Sequence, residues 1–335
     1  MGSSVCSIGT RGEKRRARYN MTGGAKHEHE APRNIGAKYL HLRTNASVWM
    51  QVLAQAKKAT MSEKVLDVRQ LRAFIFDLDG VIWRGHTPIP GAVEAVLALR
   101  TSGRRCFYAT NNSRLSQPEF AQRLRAIGLE LQDDEVITSS IATAWHISSQ
   151  HEKFTAYVVG EHGIKGELEK IGGTILSEEE ADITQSVDIV VVGIDRFFSY
   201  EKLRLAQKFL LRGAKFIATN SDWTFPTEDG VVPGAGSIVA AVEAASQIKP
   251  QIIGKPAPAM LLGCVQQFDL VTQRTAMVGD RLDTDIACAH RAGLPALWVA
   301  TGVHSREQAL SADGEERPDA LFEDLSQLAR AVLMN

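Results

Sequence analysis

From Leu71 onward the sequence alternates short apolar runs with longer amphipathic stretches, and this alternation limits the possible folds more than any other feature. Short runs are typical of strands and longer stretches of helices, so the pattern predicts an α/β protein. Most runs are continuously apolar, which favours a parallel sheet covered on both faces. The predicted strands are 73–76, 106–109, 156–159, 188–192, 215–218, 276–278 and 296–299, and the predicted helices are 92–100, 117–127, 201–211, 238–245 and 257–268.

Three of the predicted strands run directly into polar residues. Asp77 and Asp79 follow the first strand, Thr110-Asn111-Asn112-Ser113 follows the second, and Gly279-Asp280 follows the sixth. The carboxyl ends of parallel strands share one edge of a sheet. These clusters are therefore expected to meet there, although Asp77 and Asp280 are about 200 residues apart in sequence.

The residues after the first strand are suited to phosphoryl chemistry. Asp77 could attack a phosphorus atom as a nucleophile, and Asp79 could move the protons of the leaving group and of water. Crowded carboxylates repel each other, so the pair calls for a cation, and oxygen ligands suit Mg²⁺. Asp77, Asp79 and Asp280 are the predicted metal-binding residues. A solvated turn is the alternative reading of an Asp-x-Asp sequence.

The second polar cluster offers donors for a phosphate group. Thr110, Asn111 and Asn112 are the predicted phosphate-binding residues, because hydroxyl, amide and backbone N–H groups at a strand end are the donors that phosphate oxygens need. Ser113 is also a candidate cap for the helix predicted to begin near Gln117.

Lys255 and Asp285 complete the set of candidate site residues. Lys255 lies between Gly254 and Pro256, and its ammonium group could neutralise a nucleophilic carboxylate and a transferring phosphoryl group; a surface turn is the alternative. Asp285 is expected to support the metal site by hydrogen bonding, whereas Asp283 is as well explained as a solvated residue at a helix entrance.

Taken in order, four motifs resemble those of the haloacid-dehalogenase-like phosphatases: Asp77-Leu78-Asp79-Gly80-Val81, Thr110-Asn111-Asn112-Ser113, Gly254-Lys255-Pro256 and Gly279-Asp280-x-x-x-Thr284-Asp285. The long segment between the second and third motifs is similar to the large α/β cap of one subgroup. That subgroup contains the nitrophenyl-phosphate, phosphoglycolate and pyridoxal-phosphate phosphatases and the NagD-like nucleotidases. The resemblance covers about residues 71–301.

The resemblance implies a role for each matching residue. Asp77 would be the nucleophile and Asp79 the general acid and base. Thr110 and Asn112 would hold phosphate, and Lys255 would stabilise an aspartyl-phosphate. The Mg²⁺ ligands would be Asp77, Asp280 and the backbone carbonyl of Asp79.

The implied architecture is a Rossmann-like parallel-sheet core with an inserted α/β cap domain. The expected division is a leader at 1–64, a core at 65–153 and 250–335, and a cap at 154–249. Within the cap, Ser237 is expected to cap the helix that follows it. Phe225 stands where the pyridoxal-phosphate phosphatases have a His, which argues against vitamin phosphates as substrates.

The expected function is Mg²⁺-dependent hydrolysis of small phosphomonoesters, of the phosphoglycolate or nitrophenyl-phosphate type, through an aspartyl-phosphate. The alternatives are a nucleotide or sugar phosphatase, or a phosphotransferase or mutase of the same superfamily. A binding protein without turnover is disfavoured because all the catalytic side chains are present. The expected partner is a small phosphorylated metabolite, with a homodimer as one option for the assembly.

The charge distribution excludes other classes of function. The chain carries 38 Lys and Arg against 39 Asp and Glu, a net charge of −1, and this balance offers no footprint for nucleic acid or a membrane surface. Residues 1–60 alone carry +8, which leaves −9 for the rest. This basic leader is typical of a transit peptide, a disordered tail or an extension upstream of a start at Met61.

Cysteine usage and hydropathy bear on the compartment. Four cysteines without C-x-x-C spacing predict neither a zinc site nor a disulfide framework, so a reducing compartment is expected. No apolar run approaches the roughly 20 residues that span a bilayer. We therefore expect a soluble, cytoplasmic protein, or a plastid or mitochondrial one if residues 1–60 are a transit peptide.

Deleting residues 1–60, so that translation starts at Met61, is expected to leave kcat, KM and melting temperature unchanged. All the motifs lie beyond Leu71, and the leader lacks an apolar face with which to dock on the folded body. Steady-state kinetics and thermal unfolding measure the three quantities. A melting temperature lower by several degrees, equivalent to about 1 kcal/mol, would mean that the leader packs on the body.

Overall fold

The computed structural model of the chain describes residues 66–227 and 230–334. The predicted leader at 1–64 lies outside the described residues, and its division from the core stays a prediction.

Strands and helices alternate along most of the described chain. The strands are β1 Ala73–Asp77, β2 Trp83–Arg84, β3 Thr87–Pro88, β4 Arg105–Thr110, β5 Val136–Thr138, β6 Phe154–Val159, β7 Gly173–Ile175, β8 Ile189–Val192, β9 Lys215–Ala218, β10 Thr224–Thr227, β11 Gly230–Pro233, β12 Gln251–Ile252, β13 Thr275–Gly279, β14 Ala296–Val299 and β15 Ala320–Phe322. The helices are α1 Ala92–Thr101, α2 Gln117–Ala126, α3 Ser139–Ser148, α4 His162–Lys170, α5 Glu178–Ile183, α6 Tyr200–Leu210, α7 Ala235–Ser246, α8 Ala259–Gln267, α9 Ala287–Ala292, α10 Arg306–Ser311 and α11 Leu325–Leu333.

Two parallel sheets organise these elements. The larger sheet has the strand order β15-β14-β13-β1-β4-β5, and the smaller has the order β12-β9-β8-β6-β7. All neighbouring strands within both sheets run parallel. The predicted α/β class with parallel sheets is therefore confirmed. The predicted cap ends at 249, and the edge strand β12 of the smaller sheet lies just beyond that boundary.

All seven predicted strands and all five predicted helices are present, with ends shifted by up to three residues. The sequence missed α3, whose residues are buried on nearly every side, so that it shows no polar face. It also missed the short hairpins β2–β3 and β10–β11, and Phe225 lies in the latter. The remaining elements that were not predicted are mostly short: strands β5, β7, β12 and β15 and helices α4, α5, α9, α10 and α11.

Two predicted helix caps are wrong. Ser116, not Ser113, precedes α2 and forms a capping box with Glu119. Ser113 is instead turned toward the smaller sheet, where its hydroxyl accepts a hydrogen bond from the Ile194 backbone N–H at 3.3 Å. Ser237 lies inside the first turn of α7, because that helix begins at Ala235, and its hydroxyl donates to the carbonyl of Trp223 at 2.9 Å.

Helix α3 joins the two sheets through one apolar cluster. Ile141 and Trp145 of this helix share the cluster with Phe107 of the larger sheet and with Val158 of the smaller sheet. The smaller sheet is therefore packed on the larger one by continuous side-chain contact and not only connected to it by the chain.

Among the described residues, no helix combines the length and apolar character needed to cross a membrane.

Gly263→Ala is expected to destabilise the protein by about 1–3 kcal/mol, as overpacking of a close-packed core usually does. A Cβ at this position of α8 would lie 2.3 Å from ring atoms of Trp145. Gly166→Ala in α4 is the matched control, since a Cβ there meets nothing within 4 Å. Chemical denaturation should show a loss for the first variant and no loss, or a small gain, for the second. Equal stabilities would contradict the packing of α3 on α8.

Candidate active site

The carboxyl ends of three adjacent strands form the floor of the candidate site. Asp77 is the last residue of β1 and pairs with Ala109 of β4, and Thr110 ends that strand. On the other side of β1, Phe76 pairs with Val278 of β13, which ends at Gly279 and leads into Asp280. The parallel register therefore carries all three polar clusters to one edge of the larger sheet, as the strand-end rule predicts.

A buried ammonium group lies between two carboxylates at this edge. Lys255 Nζ donates to Oδ1 of Asp77 at 2.5 Å and to Oδ1 of Asp285 at 2.7 Å. Burial disfavours the charged ammonium, but the Asp285 and Asp77 carboxylates outweigh burial and hold the pKa of Lys255 above its usual value. Asp285 also accepts a bond from the Arg281 backbone N–H, which fixes its orientation. Asp283 in the same turn is exposed and pairs with Arg281.

Asp280 occupies a narrow, fully buried space. Its Oδ2 accepts a hydrogen bond from the Val303 N–H at 2.7 Å, while Oδ1 is buried and has no hydrogen-bond partner among the described residues. A Cβ on Gly80 would lie 2.7 Å from the carboxyl carbon, and one on Gly302 would lie 1.8 Å from Oδ2. Glycine is therefore required at both positions for this carboxylate to fit.

The residues at this edge fit a divalent metal ion. Carboxylate oxygens of Asp77, Asp280 and Asp285 all lie within 4.8 Å of one another. Burial raises the pKa of Asp77 well above its ordinary value, and burial together with the Asp285 carboxylate raises the pKa of Asp280 to about 7. Lys255 balances only one of the three charges. A hard cation with oxygen ligands, such as Mg²⁺, would supply the missing charge and a partner for the unpaired Oδ1 of Asp280.

Asp79 lies in a different environment from the other carboxylates. Its Oδ1 accepts a hydrogen bond from the indole N–H of Trp83 at 3.1 Å. Burial raises the pKa of Asp79 to about 6, although the Trp83 bond favours the ionised form. A carboxyl group with a pKa near 6 can both give and take a proton near neutral pH.

Thr110 and Asn112 keep donors free for an anion. The Thr110 hydroxyl accepts a bond from the Asn112 N–H at 3.1 Å, and Oδ1 of Asn112 accepts one from the Arg114 N–H at 3.0 Å. Both acceptor oxygens are therefore occupied. Within 66–227 and 230–334, neither the Thr110 O–H nor Nδ2 of Asn112 donates to a protein acceptor, so both are free to donate to a phosphate oxygen.

The side chain of Asn111 is engaged elsewhere. Its Nδ2 donates to Oδ2 of Asp222 and to the carbonyl of Lys255, both at 3.0 Å, and its Oδ1 accepts from the Lys255 N–H at 2.9 Å. Both amide hydrogens are thus used. The side chain of Asn111 therefore positions the Lys255 backbone and ties it to Asp222, which follows β9 of the smaller sheet.

Sequence reasoning missed four residues of the site. Trp83 does not stand out in the sequence, because a tryptophan near a strand end is usually packing. Gly302 and Val303 follow β14, so the strand-end rule points to them, but they carry no titratable group to draw attention. Arg114 directly follows the second motif, and only the tertiary structure places it at the site.

Two family models match the chain. The model described as haloacid dehalogenase-like hydrolase matches residues 74–174, and the model described as HAD-hydrolase-like matches residues 252–328.

Similar proteins support the same assignment. An acid sugar phosphatase of Staphylococcus epidermidis is 37% identical over 259 residues, which are 77% of this chain and 97% of that protein. The crystal structure of a 4-nitrophenylphosphatase from Thermotoga maritima has a TM-score of 0.73 at 34% identity, covering 80% of this chain and 99% of that one. A glycerol phosphate phosphatase from Mycobacterium tuberculosis, crystallised with magnesium, has a TM-score of 0.72 at 34% identity, covering 79% of this chain and 78% of that one.

The chain therefore belongs to the haloacid-dehalogenase-like hydrolases. Within this family it is a phosphatase, of the kind that carries a second α/β unit above the catalytic sheet.

Removing divalent cations with EDTA is expected to stop hydrolysis of 4-nitrophenyl phosphate, and Mg²⁺ to restore it. Ca²⁺ should restore little, because its longer and more variable coordination would misplace the nucleophile relative to the phosphate. Asp280→Asn should raise the Mg²⁺ concentration needed for half-maximal activity, whereas Asp283→Asn, an exposed neighbour, should not. Full activity in a preparation shown to be metal-free would remove the proposed role of Asp280.

Proposed function

We propose that this protein is a Mg²⁺-dependent phosphomonoesterase that transfers the phosphoryl group of a small metabolite first to Asp77 and then to water. The observation that carries the proposal is the buried Asp77 carboxylate at the end of β1, bonded to Lys255 and grouped with Asp280 and Asp285. In this arrangement a nucleophile, a fixed cation and a metal-ligand set lie at one point.

In the first step, a carboxylate oxygen of Asp77 attacks the phosphorus atom and the ester oxygen leaves. Asp79, protonated beforehand, gives its proton to the leaving oxygen. Lys255 and the free donors of Thr110 and Asn112 hold the charge that spreads over the phosphoryl oxygens. The products are an alcohol and an aspartyl-phosphate at Asp77.

In the second step, Asp79 takes a proton from a water molecule that attacks the phosphorus atom. The bond between the phosphorus and the Asp77 oxygen breaks, inorganic phosphate forms, and the carboxylate returns to its starting state. Trp83 keeps the carboxylate of Asp79 in place through both proton transfers. When bound by Asp77, Asp280 and the Asp79 carbonyl, with Asp285 adjacent, Mg²⁺ would offset the repulsion between the nucleophile and the phosphate.

The substrate is proposed to be a small phosphorylated metabolite. The relatives named for activity on sugar phosphates, nitrophenyl phosphate and glycerol phosphate support this size class. A cytoplasmic location, or an organelle if residues 1–60 are a transit peptide, stays a proposal, and so does a homodimer. Fluorescent fusions of the full chain and of the chain that starts at Met61 would show where the protein is located in the cell. Light scattering in solution would show whether it is a homodimer.

Asp77→Asn is expected to abolish turnover without unfolding the protein, because the amide keeps the shape but cannot act as the nucleophile. Phosphate release from 4-nitrophenyl phosphate and the melting temperature measure the two effects. Asp79→Asn should also lose most of its turnover. Phosphoenzyme should accumulate if hydrolysis of the aspartyl-phosphate is slowed more than its formation.

Asp283→Asn serves as the control, since Asp283 is exposed and contacts only Arg281 in this loop. If Asp77→Asn kept more than about a tenth of the wild-type kcat, a barrier change of only about 1.4 kcal/mol, Asp77 could not be the nucleophile. Transfer to added alcohols, at the expense of phosphate release, would instead favour a phosphotransferase.

A further inference from the structure

Arg114 is held at the boundary between the two sheets. It follows the Thr110–Ser113 cluster, and its backbone N–H donates to Oδ1 of Asn112. Its carbonyl accepts a hydrogen bond from the N–H of Gly163, in the first turn of α4, at 3.0 Å. A Cβ on Gly163 would lie 2.6 Å from that carbonyl oxygen, so the two backbones are in close contact. The backbone position from which the Arg114 side chain extends is therefore fixed.

Among residues 66–227 and 230–334, the guanidinium group of Arg114 has no hydrogen-bond or ion-pair partner. Its Nε is buried without a hydrogen bond, and no acceptor bonds the rest of the group among the described residues. Buried polar groups in folded proteins are almost always paired, and an unpaired donor on a charged group is especially unfavourable. An unpaired guanidinium nitrogen on the residue that follows the Thr110–Ser113 cluster therefore favours an anionic partner that the protein itself does not supply.

The charges around Arg114 also favour an anionic partner for its guanidinium group. The carboxylates of Asp79 and Glu161 favour its charge, whereas the guanidinium groups of Arg196 and Arg123 oppose it. Glu161 is already occupied, because it accepts bonds from Nε and Nη2 of Arg196 at 2.9 and 2.8 Å. Burial and Arg196 together lower the pKa of Arg114, so its surroundings disfavour an unaccompanied cation.

The position of Asp79 determines which part of the substrate would reach Arg114. In the proposed mechanism Asp79 protonates the ester oxygen, so the alcohol portion of the substrate extends from Asp79 away from Asp77. Arg114 lies close enough to Asp79 for the two charges to affect each other, while Lys255, Thr110 and Asn112 serve the transferred phosphoryl group. An oxyanion on the alcohol portion is thus the group best placed to pair with it.

We propose that Arg114 is a specificity-determining residue that binds a second anionic group on the leaving alcohol. This inference rests on the proposed phosphatase function and narrows its substrate class to phosphomonoesters whose alcohol carries a carboxylate or a further phosphate. The planar guanidinium fork matches either oxyanion with two parallel hydrogen bonds.

The test uses pairs of substrates in which one member carries a second anionic group and the other carries a neutral group in its place. One pair is 2-phosphoglycolate and its neutral carboxamide analogue, and the other is ethylene glycol bisphosphate and 2-hydroxyethyl phosphate. The wild-type enzyme is expected to prefer the charged member of at least one pair by tenfold or more in kcat/KM. The pair with the larger preference identifies the oxyanion as carboxylate or phosphate.

Arg114→Gln should reduce kcat/KM for the preferred charged substrate by at least tenfold, mainly through KM, and change the neutral analogue by less than about twofold. Arg114→Lys, which keeps the charge but not the fork, should fall between. Arg72→Gln, on an exposed residue before β1, is the control and should match wild type on all substrates. Melting temperatures verify that each variant is folded.

Two results would overturn the inference. In the first, the wild-type enzyme hydrolyses the neutral analogues and prefers neither charged partner. In the second, Arg114→Gln lowers activity equally on charged and neutral substrates, which would assign Arg114 to the transferred phosphoryl group or to structure. Failure of the wild-type enzyme on every phosphomonoester would instead contradict the proposed function itself.

Discussion

The arrangement of the site depends on burying one ammonium group between two carboxylates. Lys255, Asp77 and Asp285 come from three separate segments of the chain, and their contacts of 2.5 and 2.7 Å require those segments to meet at one edge of the larger sheet. Loss of Lys255 would leave two buried carboxylates without their cation, and removing one partner of a buried ion pair costs about 3–5 kcal/mol when a charge is left without compensation. The contacts that orient the proposed nucleophile therefore also hold these three segments together at one edge of the larger sheet.

The sequence was sufficient for the seven strands that were predicted and for the carboxylates and the lysine of the candidate site, and the reason is physical. Strands of a parallel sheet are apolar on both faces and stand out as continuous runs, and carboxylates placed at their ends have few other uses. Helix α3 was not predicted, because it is buried on almost every side and its sequence shows no amphipathic period. Trp83, Val303 and Arg114 could not be found in advance, since an indole, a backbone N–H and an arginine acquire their roles only from tertiary neighbours.

Besides the apolar cluster around α3, polar contacts from the second motif join the two sheets. Ser113 accepts from Ile194 N–H, and the Asn111 carbonyl accepts from Nδ2 of Asn220 while its side chain reaches Asp222. These bonds fix the position of the smaller sheet relative to the loop proposed to bind phosphate. In the proposed function, the loop that binds the phosphate group is thus also the loop that positions the smaller sheet.

The space around Asp280 carries a consequence for how this site can vary. Gly80 and Gly302 leave room for one short carboxylate, with Oδ2 held by the Val303 N–H and Oδ1 buried without a hydrogen-bond partner among the described residues. A glutamate at position 280 would bring one more methylene group into this space, where even a single carbon added to Gly80 or Gly302 collides with the carboxylate. At position 280 the site thus accepts an aspartate and excludes a glutamate of the same charge because of its length. Gly80 and Gly302, which carry no functional group, set this limit.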